Sequence, residues 1–244
     1  MELKSKKSLC IIIPAYNEQA SISSCIEKVL NEISKIKSKT LLVIVDDGSR
    51  DKTPQILEKE KIRFGKKLVI LNHKTNQGYG KALQSGIAYA LEEGFEFYLT
   101  MDSDLTNPPK YIHDFVQTMS NAIDCVKASR YIKGGKVMNV SFFRKSVSAI
   151  GNYLASFCFN VGIKDCTNGF KMVRLDNLKN ISFKEKNFSI ILEEMYYLKK
   201  KKARFREIPN ILYARKRSAS HFRYRPKIFY DYFKYLLKAL FLKY

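Results

Sequence analysis

Apolar and polar positions follow two periods along the first hundred residues. Short β-rich runs at residues 9–13, 41–46, 67–71 and 97–101 are separated by segments of helical spacing at 19–36, 54–64 and 79–93. This β-α-β-α-β-α-β series predicts an α/β fold with a mainly parallel, Rossmann-like sheet and helices on both faces. In such sheets ligands bind outside the carboxyl ends of the strands. The conspicuous loop residues fall at those ends: Pro14-Ala15-Tyr16-Asn17-Glu18, Asp46-Asp47-Gly48-Ser49, Asn76-Gln77-Gly78-Tyr79-Gly80 and Asp102-Ser103-Asp104 follow the four strands in turn. Four loops are expected to converge on one crevice.

The second half is less regular. Residues 124–129 read as a strand ending at Arg130, and 167–173 as another. Between them, 147–163 carries no charge and approaches the length of a bilayer span, but Gly151, Asn152, Asn160 and Gly162 dilute its hydrophobicity. One or two helices lying against protein or lipid surface are expected over about 140–163. Near the end of the chain, Lys227, Asp231, Lys234 and Lys238 recur at spacings that align them on one helical stripe, with aromatic and aliphatic residues around the rest. Such a helix suits the headgroup region of a membrane, and docking on the protein itself is the alternative. The expected division is a catalytic domain at 1–220 and a basic, aromatic, amphipathic interfacial segment at 221–244.

Charge sharpens the picture. The 244 residues carry a formal net charge of +21, and 15 of the 44 basic residues lie from Lys199 onward against two acidic ones, Glu207 and Asp231. That distribution implies an anionic partner: nucleic acid, a phospholipid surface or a phosphorylated substrate. No nucleic-acid motif accompanies the basic residues, which argues against the first. The five cysteines are scattered without metal-like spacing and suit free thiols in a reducing, cytoplasmic compartment. The apolar run Leu9-Cys10-Ile11-Ile12-Ile13 stops at Pro14, too short for an export signal.

Candidate chemistry centres on Asp102 and Asp104. In extended backbone residues i and i+2 project to the same side, so both carboxylates can face one hard cation that also takes diphosphate oxygens. Asp46 could accept hydrogen bonds from a base or ribose, and the Asn76–Gly80 loop reads as a tight helix entry without either standard nucleotide-loop spacing.

Taken together, Ile12-Ile13-Pro14-Ala15-Tyr16-Asn17-Glu18, Val45-Asp46-Asp47-Gly48-Ser49, Asn76-Gln77-Gly78-Tyr79-Gly80-Lys81 and Met101-Asp102-Ser103-Asp104-Leu105 resemble, in order, the polyprenyl-phosphate branch of glycosyltransferase family 2, typified by the dolichyl-phosphate mannose and glucose synthases. Arg130, Arg144 with Ser148, Asn168-Gly169-Phe170-Lys171 and Arg215 continue the resemblance. It implies a GT-A-type fold and transfer of a hexose, with inversion, from a nucleotide-diphosphate sugar of the GDP-mannose or UDP-glucose type. The acceptor would be a polyprenyl or dolichyl phosphate at the cytoplasmic membrane face. It further implies that Pro14, Tyr16, Glu18, Ile44, Asp46 and Ser103 line the nucleotide site, that Asp102 and Asp104 hold Mg²⁺ or Mn²⁺, and that Arg130 and Arg215 neutralise phosphates. Arg144 and Ser148 would receive the acceptor phosphate, one helical turn apart on one face. Thr106 stands where the mannose synthases carry Gln, and Arg215-Lys216-Arg217-Ser218-Ala219-Ser220-His221 replaces a motif ending in Lys.

A prenyl phosphate is already an anionic nucleophile and needs little help from a base. A saccharide acceptor would need one, and Glu193 or Glu194 would be the candidate. A nucleotidyltransferase, which can use a similar sheet and metal, is a further alternative. An anionic membrane surface or a small membrane-anchoring partner is expected at the C-terminal segment.

Overall fold

The computed structural model describes residues 8–214 and 226–242. Among these described residues nine strands form: β1 (Leu9–Ala15), β2 (Thr40–Asp46), β3 (Leu68–Asn72), β4 (Phe97–Thr100), β5 (Cys125–Ser129), β6 (Lys136–Met138), β7 (Lys171–Arg174), β8 (Phe205–Pro209) and β9 (Ile211–Tyr213). The helices are α1 (Ile22–Ile33), α2 (Thr53–Phe64), α3 (Tyr79–Glu92), α4 (Ile112–Thr118), α5 (Phe142–Phe159), α6 (Ile190–Lys200) and α7 (Pro226–Leu240). Seven strands make one sheet in the order β3-β2-β1-β4-β7-β5-β8, and β6 pairs with β9 in a small second sheet. Within the large sheet only β7 runs antiparallel, inserted between β4 and β5. The expected α/β class with a mainly parallel sheet is what forms.

Period-2 alternation explains why the strands carry continuous apolar runs. Leu9, Ile11, Ile13, Leu42 and Ile44 pack towards α1, α2 and α4, whereas Cys10, Ile12, Val43 and Val45 pack towards α3 and α6. Both faces are therefore buried, as parallel sheets require. Burial also pushes the Cys10, Cys125 and Cys166 thiols up to about 12, so they act as small apolar fillers.

Two boundaries differ from the periodicity. The first helix begins at Ile22 rather than 19 because residues 17–19 are taken up by the neighbouring loop: Asn17 N–H donates to Ser49 Oγ and Glu18 N–H to Thr53 Oγ1. Thr167, Asn168 and Gly169 are not strand. The Asn168 side chain caps the Phe170 N–H and reaches the Ala128 carbonyl, which bends the chain before β7 starts.

A third apolar cluster lies off the end of the sheet, where Ala155 and Phe159 of α5, Leu192 and Met195 of α6, and Tyr235 and Ala239 of α7 meet. No helix among the described residues is long and apolar enough to cross a membrane.

Candidate active site

The loops after β1, β2 and β3 are laced into one unit. Asp46 accepts from the Ser49 N–H at 3.1 Å, forming the turn that brings residues 49–53 to the first loop. Asn17 Oδ1 accepts from the Arg50 N–H and Gln19 Oε1 from the Lys52 N–H. Asp47, only 2% exposed, accepts from the N–H groups of Gln77 and Gly78 and pairs with His73 at 2.6 Å. Gly48 sits at φ +70°, and a Cβ there would come within 2.5 Å of the Thr75 carbonyl carbon, so no other residue fits without moving the third loop. Asp47 was not singled out by sequence reasoning; an acid directly before a turn glycine, opposite a loop of bare N–H groups, is the signal that could have found it.

On this platform Glu18 is buried and accepts from Ser21 Oγ, while Tyr16 is half-exposed. Pro14 is buried within β1 in register with Val45. The Ile44 side chain is wholly enclosed in the core beside α1 and α2, so a place at the nucleotide would fall to its backbone. Ser103 is 5% exposed and lies between two partly exposed carboxylates, Asp102 and Asp104.

Those carboxylates are oriented by their own loop. Asp104 accepts from both the N–H (3.0 Å) and the hydroxyl (2.8 Å) of Thr106, and Asp102 accepts from Asn107 at 3.3 Å. Thr106 thus serves to orient Asp104. Burial drives the Cys25 thiol up, and the negative charges of Asp104, Glu18 and Asp102 push it further the same way. Oxygen-only carboxylate donors at a strand end fit a hard divalent cation such as Mg²⁺ or Mn²⁺. Among the described residues no group of three or more His, Cys, Asp or Glu gathers, so an ion on Asp102 and Asp104 would complete its shell with water and ligand oxygens.

Asp102 also opens onto a second space, a cavity of about 850 Å³ bounded by the sheet end, α5 and α7. Arg130, Arg144, Lys145 and Ser148 line it together with Tyr79 and Asn168. Pro14, Tyr16, Glu18, Ile44, Asp46 and Ser103 lie outside it, so Asp102 joins the two halves of the candidate site. The remaining walls are mainly aliphatic and aromatic, among them Val147, Ile150 and Leu154 of α5 and Phe229, Phe233 and Leu236 of α7.

The cations differ in availability. Arg130 is gripped by fully buried Asp165, Nε to Oδ2 at 2.7 Å and Nη2 to Oδ1 at 2.8 Å, and also donates to Thr167. Burial works against its charge, but Asp165 more than offsets this and holds its pKa above the ordinary value. Arg130 thus lines the cavity with its charge matched by Asp165, and the pair ties together the loops of the cavity wall. Arg144 and Lys145 are exposed, and neither pairs with a carboxylate among the described residues. Ser148 shares a 2.8 Å hydrogen bond with the Tyr131 hydroxyl, and buried Asn152, one turn on, binds Thr167 through both its amide atoms. These bonds fix the face of α5 that carries Arg144 and Ser148. Arg215, with the motif through His221, lies outside the described residues.

Neither alternative base reaches the cavity. Glu194 is fully buried, pairs with buried Lys171 at 2.8 Å and accepts from Tyr98 Oη at 2.6 Å. Glu193 is 1% exposed, and its oxygens accept backbone N–H groups of Lys184 and Glu185. Both are structural acids, which corrects the expectation of a base at either position. Glu194→Leu strands the Lys171 ammonium, so a loss of about 3–5 kcal/mol is expected in urea unfolding, with Lys171→Met/Glu194→Leu recovering most of it. An active-site base would instead lose activity at unchanged stability.

The C-terminal stripe is also placed differently from expectation. Lys234 pairs with Glu185 at 2.7 Å, and Lys238 lies over the Tyr196 and Tyr235 rings, so these cations flank the docked side of α7. The outward side is aromatic: Phe229, Tyr230, Phe233 and Phe241 are each more than half exposed. The side chain of Lys227 lies outside the description. Helix α5 presents a similar surface beside it, with Phe142, Phe143, Tyr153 and Phe157 exposed.

Comparison with known proteins fits this geometry. The model of "Glycosyl transferase family 2" matches residues 10–182. The chain is 27% identical to a dolichol-phosphate mannosyltransferase of Pyrococcus furiosus over 82% of its own length and 54% of that protein. It is 26% identical to a polyprenol monophosphomannose synthase of Mycolicibacterium smegmatis, over 70% and 63%, and 25% identical to an undecaprenyl-phosphate mannosyltransferase of Micrococcus luteus, over 81% and 80%. It therefore spans between half and two thirds of the first two. Among solved structures, glucosyl-3-phosphoglycerate synthase of Mycobacterium tuberculosis, in complex with Mn²⁺, UDP and phosphoglyceric acid, superposes with a TM-score of 0.66 at 17% identity, covering 98% of this chain and 80% of the other. The same protein is also known with Mg²⁺ and UDP, again at 0.66. At that identity the likeness is one of fold.

Proposed function

Because the chain belongs to glycosyltransferase family 2, we propose that it moves a hexose from a nucleotide-diphosphate sugar to a polyprenyl phosphate at a membrane surface. The observation that carries this reading is the cavity: an apolar space beside Asp102 whose cations Arg144 and Lys145, without a carboxylate partner among the described residues, stand on the same helix as Ser148. A small phosphorylated acceptor would need the cations but not the aliphatic and aromatic walls. A saccharide would need hydrogen-bonding groups and a base, and Glu193 and Glu194 are engaged elsewhere.

The chemistry follows from charge placement. The donor's nucleotide sits over the loops after β1 and β2, with Tyr16, Glu18 and Asp46 at its edge. Asp102 and Asp104 hold the divalent ion, which when bound supplies neutralisation of the diphosphate, a contribution of several kcal/mol. Arg144, Lys145 and the Ser148 hydroxyl bind the acceptor phosphate and aim one of its oxygens at the anomeric carbon. That oxygen forms the new C–O bond as the bond to the diphosphate breaks. No proton has to be removed, and single displacement inverts the anomeric centre. Arg130, locked to Asp165, keeps the wall in place while this occurs.

The exposed aromatic faces of α5 and α7 border the same cavity, which supports a lipid surface as the neighbour from which the acceptor enters. Burying a phenylalanine contributes about 1.5–3 kcal/mol, so Phe142→Ser/Phe143→Ser is expected to weaken binding to anionic vesicles by at least about tenfold. Co-sedimentation measures it, and unchanged binding would put the lipid elsewhere. Incubation with labelled GDP-mannose or UDP-glucose, against either a prenyl phosphate or a saccharide panel, tests the reaction. Label is expected in lipid alone; label in saccharide alone would overturn the reading.

A further inference from the structure

We propose that Glu185 is a positioning residue for the acceptor: its carboxylate latches α7 to the body of the protein and so sets the wall against which a prenyl chain lies. The inference rests on the acceptor reading above and names a residue that the reading does not use. Oε1 of Glu185 accepts from Lys234 Nζ at 2.7 Å and from the Tyr235 hydroxyl at 3.0 Å, both on α7, and Oε2 accepts from Ser189 Oγ at 2.8 Å, at the start of α6. Phe229, Phe233 and Leu236, which form the α7 wall of the cavity, stand on the same fifteen-residue helix.

Glu185 itself cannot shift easily. Its N–H donates to Glu193, its carbonyl accepts from Gln84 of α3, and the next carbonyl accepts from the Gly80 N–H. A Cβ on Gly80 would lie 2.5 Å from the Glu185 carbonyl oxygen, so the segment rests directly on the loop that Asp47 holds. The latch is thus built on a rigid junction of α3 and α6, and α7 is the element hung from it. Burial opposes the carboxylate's charge, yet hydrogen bonds from Lys234, Ser189 and Tyr235 keep its pKa below the usual range. At neutral pH the latch is an ionised, charge-assisted contact.

A prenyl chain must enter beside α7, and a wall that is held in register lowers the ordering cost of binding it. Pro14, Tyr16, Glu18, Asp46 and Ser103 do not share the cavity with this wall, so the effect is expected on the acceptor's KM. The test uses the full chain with labelled donor and a prenyl phosphate in vesicles of neutral and anionic phospholipid. Glu185→Gln is expected to raise the acceptor KM by about tenfold, with kcat and the donor KM within about twofold, and Lys234→Met to do the same with no further rise in the double variant. Amide exchange along α7, read without substrate, should quicken in both variants. Unchanged acceptor KM and exchange would overturn the inference, as would an equal fall in turnover with both substrates alongside a lowered Tm, which marks a purely structural acid. If the unsubstituted protein makes no glycolipid, the acceptor reading fails on its own, and the positioning role fails with it however α7 exchanges.

Discussion

Asp104→Ala is expected to lower turnover by about 10³-fold or more while the far-UV circular dichroism spectrum stays as it is. The size follows from what the carboxylate does in the proposed reaction. There Asp102 and Asp104 would hold the divalent ion, and without one of them charge growing on the departing diphosphate would go largely unneutralised. The fold is expected to survive because Asp104 is partly exposed in a loop and accepts two hydrogen bonds from Thr106, only two residues away. Added Mn²⁺ should not restore the rate. Undiminished turnover with a normal metal response would mean that the cation is held elsewhere.

The second large effect is on the opposite side of Asp102. Arg144→Ala should reduce kcat/KM for the prenyl phosphate by about 30–100-fold, the worth of a charged hydrogen-bonding partner. The donor KM should be unchanged. Arg144 is exposed on α5, so stability should barely move. Arg144→Lys is expected to recover only part of the loss, because an ammonium keeps the charge but not the planar fork that grips two phosphate oxygens. Equal loss with both substrates would place Arg144 at the donor instead.

What could be read in the sequence were the features set by local pattern. The alternation that buries both faces of β1 and β2 is visible as continuous apolar runs, and the strand-end positions of Asp46, Asp102 and Asp104 follow from it directly. The i, i+4 spacing of Arg144 and Ser148 likewise needs only helical geometry. What could not be read were partnerships made across the sheet. Arg130 is legible as a strand-end cation, but not that Asp165, 35 residues on, holds it. Glu194 looks like a base until β7 and α6 bring Lys171 against it. The charged stripe on α7 has the right period for a lipid-facing edge, yet period alone does not say which side docks, and Glu185 draws Lys234 inward. In each case a charge was correctly located on its element, and a non-local counter-charge decided what it does.

The most direct test of the central claim is the stoichiometry and structure of the product formed from α-linked nucleotide sugar and a prenyl phosphate. One nucleoside diphosphate is expected for each glycosyl prenyl monophosphate recovered in the organic phase, with a β linkage at the anomeric carbon. Pyrophosphate release, a retained α linkage, or label found only in water-soluble saccharide would contradict the account.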